Sequence, residues 1–479
     1  MSNGVAKNIF HLLTSSVLQK GIAFVYFALI ARWAGVAHTG AYFFALSWTL
    51  MFTTITDMGL TPVLIRESAK DHANTEKFLN QTLSLKLPLT AVAVLSAIVG
   101  AWLFHIEPVT RTLVMLSTIV ISLDAVSLTF YGVLRGHHVL KHEGLGLVIG
   151  QSVTMLIGLA SLKLHMPLWV LVVALIAGSS WNALASWWVV TRKLRIRVRP
   201  SWDRNFALTI LRTAFPFALA GFFVKIYTSA DAVLLTHFHG EAAAGLYSVP
   251  YKLTFAFQFV PMTFTAAFYP AMSRAFATDK KALGDLLYQA LRSLTLIVAP
   301  IVSGIAALAP QLVQSVFGKE YLPSVLAVET LIFVLVPIFL DFPIGSLLNA
   351  SDRQMTQTKL MAAATAVSLA LNLALIRDYG LVGVVVASIV SHMVLIVGGL
   401  IVIGKFLEWP AARFAGAAVR TGLAAGAMAL VVTFTKSLLP LPAVVFLGAL
   451  SYPAAAFAFG AIGVKDLKML AAGVLKPSA

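Results

Sequence analysis

The chain reads as a succession of long apolar stretches, each near the roughly 20 residues that cross a bilayer as a helix, separated by short polar segments. This pattern predicts helices near residues 9–33, 40–65, 79–104, 111–134, 144–164 and 168–191. A second set follows near 213–238, 245–272, 286–309, 324–348, 359–376 and 381–404, with two more near 414–435 and 442–463. The total is about 14 spans. The fold class is therefore an all-α polytopic membrane protein with two six-helix sets and two C-terminal helices. The sharpest interruption is RKLRIRVRPSWDRNF, residues 192–206, where six basic residues and Pro200 break the apolar pattern. It sets off an N-terminal six-helix lobe (1–191), a basic linker (192–206), a C-terminal six-helix lobe (207–404) and a remainder (405–479) that holds the last two helices and a tail.

The two sets repeat each other. A shift of 205 positions carries Lys20 onto Lys225, Lys7 onto Arg212 and Gly35 onto Gly240. The same shift carries Gly40 and Tyr42 onto Gly245 and Tyr247, Asp124 onto Glu329, and Gly178 onto Gly383; Lys86 maps to Arg292 with one residue of slippage. Such a run in one register argues for duplication. Six spans return the chain to the side where it began, so both copies enter the membrane in the same direction, and a site is expected between the lobes.

Composition agrees with a chain that lives in lipid: 59% hydrophobic residues and 11% charged, with a mean hydropathy of +0.89. Almost nothing is left for a soluble domain, so chemistry must lie within the membrane or at its faces. The basic residues are unevenly placed. The termini and even-numbered loops hold about 22 Lys plus Arg against about 6 in the odd-numbered loops, which puts both termini on the cytoplasmic side. Much of the net charge of +16 is this bias facing anionic headgroups, and nucleic acid is not an expected partner. Cysteine is absent, which excludes disulfides and thiolate metal sites. The first apolar stretch is interrupted by Ser15, Ser16, Gln19 and Lys20 and lacks a small-residue cleavage site; it reads as a membrane helix and not a signal peptide.

Charge inside the apolar spans marks the candidate site, because an ionisable group at that depth is costly and usually functional. Lys20 lies about 11 residues into its span, or roughly 16 Å at 1.5 Å per residue, near the middle of a core of about 30 Å. Lys225 is equally deep. Lys86 and Arg292 lie nearer helix ends, where their stems can snorkel. The eighth span adds Tyr247, Tyr251 and Lys252, with Gln258 further on, a set that suits an anionic head bearing sugar rings; interfacial tyrosine belts are the ordinary alternative. The lysines could instead be held in internal ion pairs. Asp231 is six residues from Lys225, a poor spacing on one helix, and Asp57, Asp124 or Asp341 could pair from other helices. Asp57, Asp124 and Asp231 are also the coupling or gating candidates, since a buried acid can compete for lysine or take up a proton.

Other signals carry less. His237, His239 and Glu241 read as HxHxE but fit a solvated loop better than a metal site, and His137, His138, Lys141 and His142 form a basic loop suited to headgroups. Gly146 with Gly150 and Gly422 with Gly426 have the spacing of close helix packing. Pro250, Pro261 and Pro270 can kink the eighth span. No phosphate-binding GxxxxGK[ST] loop is present.

The segments ALIARWAGVAHTGAYFFALSWTLMFTTITDMGLTPVLIRESAK, YGVLRGHHVLKHEG, AFPFALAGFFVKIYTSADAVLL and AAAGLYSVPYKL resemble the polysaccharide-exporter flippases of the multidrug, oligosaccharidyl-lipid and polysaccharide (MOP) superfamily. The resemblance implies a bacterial cytoplasmic-membrane protein of two six-helix bundles around a cationic cavity, rocking between inward-open and outward-open states. It implies no enzymatic activity and no cofactor, with sodium or proton coupling open. The substrate it implies is an undecaprenyl-diphosphate-linked glycan of O-antigen, capsule or exopolysaccharide, and the implied partners are membrane lipids and polysaccharide polymerase or assembly proteins. Two other classes stay in view. A multidrug exporter is expected to present buried acids to cationic drugs, whereas the deepest pair here is cationic. A glycan polymerase or glycosyltransferase needs a substantial outer loop, and the longest here is about 15 residues around FGKEYLPS.

Overall fold

The structure is a computed structural model that describes residues 3–463, all of whose regular elements are helical. In chain order these are α1 (Asn3–Ala34), α2 (Val36–Asp57), α3 (Leu60–Lys70), α4 (Thr75–Leu103), α5 (Pro108–Gly136), α6 (Leu140–Lys163), α7 (Trp169–Trp188) and α8 (Arg204–Phe255). There follow α9 (Phe259–Thr278), α10 (Lys280–Leu312), α11 (Val325–Leu331), α12 (Leu335–Ala350), α13 (Gln354–Tyr379), α14 (Leu381–Gly404), α15 (Ala411–Thr435) and α16 (Leu441–Ala458). Among the described residues, twelve helical segments are long and apolar enough to cross a membrane.

Two local differences separate these twelve from the fourteen expected spans. The 49-residue segment Phe217–Thr265 continues through Gly240, whose φ of 78° and ψ of −179° break the helix, so it covers two expected spans. The span expected at 40–65 is interrupted. Met58 (φ 41°) and Gly59 (φ 74°) are both left-handed, ending α2 at Asp57 and starting α3 at Leu60. A Cβ on Gly59 would press on the Ala214 carbonyl oxygen and the Phe217 Cβ, so this turn needs glycine for its conformation and for space. The resulting α2, rich in Thr and Ser, falls outside the apolar set.

Contacts divide the chain into two compact units. The first comprises Met1–Ser248 and Met361–Ala387, the second Val249–Leu360 and Ser388–Ala479. In the first, α1 packs on α6, α6 on α7, α7 on α5, and α2 on α4 and α5. Tyr26, Ile30, Phe44, Trp48, Leu113, Val114, Leu171 and Val233 fill the centre. The Trp48 indole N–H donates to the Ala97 carbonyl at 3.0 Å, which satisfies the one polar atom of the largest ring there. In the second unit α9, α10 and α12 enclose Met272, Leu287, Leu291, Ile344, Leu347 and Leu348. Helices α15 and α16 dock one face on α10 through Leu308, Met428, Val432 and Val444. The Tyr452 hydroxyl donates to the Leu296 carbonyl at 2.8 Å, while Leu430, Phe434, Phe446 and Leu450 stay exposed.

The duplication has a backbone counterpart. Gly35, just before α2, has φ 80° and ψ 171°, the same conformation as its repeat partner Gly240. From these turns α2 and the later part of α8 run against each other in the first unit. A Cβ on Gly40 would overlap the Glu241 carbonyl, and one on Gly245 would overlap the Val36 carbonyl. Gly40 and Gly245 are repeat mates, and so are Val36 and Glu241; the crossing is therefore reciprocal, as a twofold relation requires. The GxxxG pairs behave differently from each other. Gly150 lies against the Gly178 carbonyl in the α6–α7 packing, whereas Gly422 and Gly426 have open space where their Cβ atoms would be.

The basic linker is fastened to α4. Arg197 N–H donates to Glu76 at 3.1 Å, Arg199 N–H to the Asn80 side-chain oxygen at 2.8 Å, and Asp203 N–H to the Gln81 side-chain oxygen at 3.1 Å. Asp203 then caps α8 by accepting from the N–H groups of Asn205 and Phe206.

Candidate functional site

A cavity of about 680 Å³ opens in the first unit. Helix α2 brings Thr53, Thr54 and Asp57 to it, and the α2–α3 break brings Gly59 and Pro62. Asp124 and Arg135 reach it from α5, Glu143 and Gln151 from α6, Ser179 and Asn182 from α7, and Lys225 from α8. Apolar side chains such as Leu50, Val120, Leu128, Leu147 and Phe217 complete the lining.

Most of the charges around this cavity are spoken for. Lys86 is 3% exposed; its ammonium lies 2.6 Å from the Asp57 carboxylate and donates to the Thr61 hydroxyl at 2.9 Å and the Ala125 carbonyl at 3.4 Å. The Thr61 hydroxyl also donates to Asp57. Asp57 ends α2, where the partial negative charge of the helix terminus disfavours a carboxylate, and Lys86 offsets that penalty. Arg135 holds Glu143 in a forked pair, with Nη2 at 2.6 Å and Nε at 3.1 Å from the carboxylate oxygens; the Glu143 side chain is 1% exposed. Asp124 accepts a hydrogen bond from Ser179. Lys225 is half-buried on the wall and takes part in none of the ion pairs seen among the described residues.

The remaining sequence candidates are placed as follows. Lys20 is exposed on α1, next to Gln19, which lines the cavity. Asp231 is buried away from Lys225: it accepts from the Asn372 amide at 2.7 Å and from the Tyr247 hydroxyl at 3.2 Å, and Asn372 also donates to Ser368. Tyr247 is 0% exposed and meets Phe43 edge-on at 6.3 Å, so its ring packs inside the first unit and does not line the cavity. Tyr251 and Lys252 are half-buried, Tyr251 against Phe255 at 4.5 Å. In the second unit, Arg292 donates to the Ala461 carbonyl at 2.8 Å, tying α10 to the end of α16.

Around the HxHxE run, His239 meets the Ile376 carbonyl at 2.6 Å, Thr110 donates to Glu241, and His237 stacks edge-on with Phe104. No group of three His, Asp or Glu side chains gathers for a metal among the described residues. The basic loop after α5 holds a histidine stack, His72 on His137 at 4.2 Å, with the Thr75 hydroxyl 3.0 Å from His137. Burial, followed by the neighbouring His72 and His138, lowers the His137 pKa below the usual histidine value.

Sequence reasoning missed Arg135 and Glu143, although both lie in YGVLRGHHVLKHEG, where the histidines drew attention. Their eight-residue separation spans a turn between α5 and α6, and helix-spacing rules do not reach across it. It named Asp57 as a candidate ion-pair partner but did not assign it to Lys86, which it placed near a helix end; the visible signal was the DMG turn that stops α2 at Asp57.

The described residues thus form a repeated set of helices long and apolar enough to cross a membrane, with a charge-bearing cavity inside the first unit. The comparisons agree on the fold. The protein is similar to a structure described as lipid II flippase MurJ in an inward closed conformation, with a TM-score of 0.75, 14% identity, 93% of this chain covered and 98% of that one. It is also similar to an inward-facing MATE-family multidrug resistance transporter of the MOP superfamily (TM-score 0.66, 16% identity, 82% and 95% covered). A third is a MOP superfamily transporter from Pyrococcus furiosus whose title notes reverse polarity of its binding pocket (TM-score 0.58, 15% identity, 85% and 99% covered). No curated protein sequence matches. Residues 5–276 match the model of the polysaccharide biosynthesis protein family, and the chain belongs to that family.

Proposed function

We propose that this protein is a flippase that carries an undecaprenyl-diphosphate-linked oligosaccharide across the bacterial cytoplasmic membrane by alternating access. The observation that carries the reading is the pairing of charges around the first unit's cavity. Lys86 is committed to Asp57 and Arg135 to Glu143, which leaves Lys225 as the wall cation open to an anionic substrate. A diphosphate leaving water needs such a fixed cation, because in a low-dielectric site an unpaired anion is far costlier than a paired one. The hydroxyl and amide groups of Thr53, Thr54, Gln151 and Asn182 supply neutral hydrogen-bond partners on the same walls. Lys20, one residue from Gln19, is the second cation of this reading, drawn toward the head when the lobes rock. The polyprenyl tail remains in the bilayer, so the protein handles the head only, and both termini face the cytoplasm.

The test is flipping of an undecaprenyl-diphosphate-linked glycan by the full chain in proteoliposomes. Lys225→Gln lowers the rate by about tenfold or more, the scale of one lost charge-assisted hydrogen bond. Lys225→Arg retains most of it, since charge is kept while geometry changes. A Lys225→Gln protein that inserts normally and flips at the wild-type rate overturns the reading.

A further inference from the structure

The second unit holds a cavity of its own, of about 520 Å³, whose lining shares no residue with the first unit's cavity. Helix α9 contributes Met262, Thr265 and Tyr269, a spacing of three and four that sets them on one face. Helix α12 contributes Asp341, Ser346 and Asn349, and the first turn of α13 contributes Gln357. Gly345 makes room for this last side chain, since a Cβ there would stand 2.9 Å from the Gln357 amide nitrogen. Gln357 hydrogen-bonds Asp341, and its side-chain oxygen is buried with no partner. Thr265 is 6% exposed, lines the cavity, and its hydroxyl is likewise buried with no partner. Buried polar atoms are nearly always satisfied, so two orphans among nine lining residues are notable and are what a ligand with hydrogen-bonding groups would answer.

We infer that this cavity binds a neutral sugar ring of the glycan, an inference that rests on the lipid-linked reading above. Three observations choose the ligand. The volume is within the range of about 300–1,000 Å³ that holds small organic ligands, and a bare cation would leave most of it to water. The orphan groups include an acceptor, the Gln357 oxygen, and a donor–acceptor, the Thr265 hydroxyl; sugar hydroxyls answer both, whereas a cation answers acceptors only. Tyr269 lines the cavity and is 42% exposed, and an aromatic ring is a partner suited to sugar C–H groups. Asp341 is the one charged residue on the lining, so the site takes neutral or amino sugars and repels a uronate.

The probes are methyl glycosides of glucose, galactose, mannose, rhamnose and N-acetylglucosamine, with methyl glucuronide and sodium chloride as comparisons. Saturation-transfer NMR is recorded on the full chain in nanodiscs. At least one neutral glycoside receives saturation, the glucuronide does not, and Thr265→Val and Asp341→Asn each reduce the transfer by about fivefold or more. Both substitutions nearly preserve side-chain volume, and thermal unfolding confirms that the variants are folded. Silence from all five neutral glycosides, or transfer unchanged in both folded variants, overturns the inference. So does sodium binding that Asp341→Asn abolishes in the absence of any sugar signal. Binding of bare undecaprenyl diphosphate and its loss in Lys225→Gln are measured separately. If the bare carrier binds but the sugars do not, this inference fails alone; if the carrier does not bind, the reading beneath it fails.

Discussion

Breaking the Lys86–Asp57 pair from its two ends is expected to give unequal damage, and the inequality follows from burial. Asp57→Ala leaves the Lys86 ammonium, 3% exposed, with only the Thr61 hydroxyl and the Ala125 carbonyl. Removing one member of a buried pair costs about 3–5 kcal/mol, and this variant belongs toward the lower end of that range because truncating Asp57 also opens space beside the ammonium to the cavity. Lys86→Met leaves Asp57 instead, whose side chain is 18% exposed and lines the cavity, where water can solvate it. Its cost is that of one partly solvated polar group, about 1–3 kcal/mol. The double variant removes both charges and keeps an apolar stem in the lysine's place, so it falls within about 1 kcal/mol of wild type. Denaturant unfolding in mixed micelles reads all four proteins through tryptophan fluorescence, with the buried Trp48 as a core reporter. The reasoning is refuted if Lys86→Met is the more damaging single change, or if the double variant is as unstable as Asp57→Ala.

Gly40→Ala and Gly245→Ala should lower the yield of folded protein to a similar degree, because each drives a methyl group into the partner helix's backbone carbonyl; full tolerance at one site alone would contradict the twofold crossing. For His137 the sign of the pH effect is set by a folded pKa lowered from 6.5: the stability it contributes is present above that value and is lost as pH falls through the lower folded pKa. His137→Asn should therefore flatten the fall of thermal stability on acidification, and an unchanged acid profile would remove His137 as its source. Reporter fusions near residue 200 and at the C-terminus should both read cytoplasm, and a periplasmic signal at either would overturn the parallel-repeat topology.

What the apolar pattern makes legible is where helices lie along the chain, and most of the expected spans coincide with helices. The duplication, read from residues matched 205 positions apart, extends to the backbone angles of Gly35 and Gly240. Local breaks were harder. At Met58–Gly59 the chain stays apolar on both sides, so periodicity carries through a turn that only the left-handed glycine marks. Direction around the helix axis was not legible either. A helix apolar on nearly every face has no stripe to orient it, so Tyr247, fully buried in packing, and Lys225, on a cavity wall, looked alike in sequence.

The partner of a buried charge was the least legible feature, and it decides what that charge can do. Lys86, Arg135 and Lys225 are all cations on apolar helices, and their depth alone ranks them poorly. Lys86 sits beside the end of α2 because the Gly59 turn stops that helix at a carboxylate; Arg135 meets Glu143 because a short turn folds α6 back on α5. Each pairing is a tertiary event made by a turn, and each converts a cation that could hold substrate into one that holds helices together. Lys225 lies on α8 fifteen residues before Gly240, where no such turn delivers an acid to it. On the proposed reading a cation left open in this way is the one a diphosphate uses, since a charge already neutralised by its own protein has little differential affinity to offer a ligand.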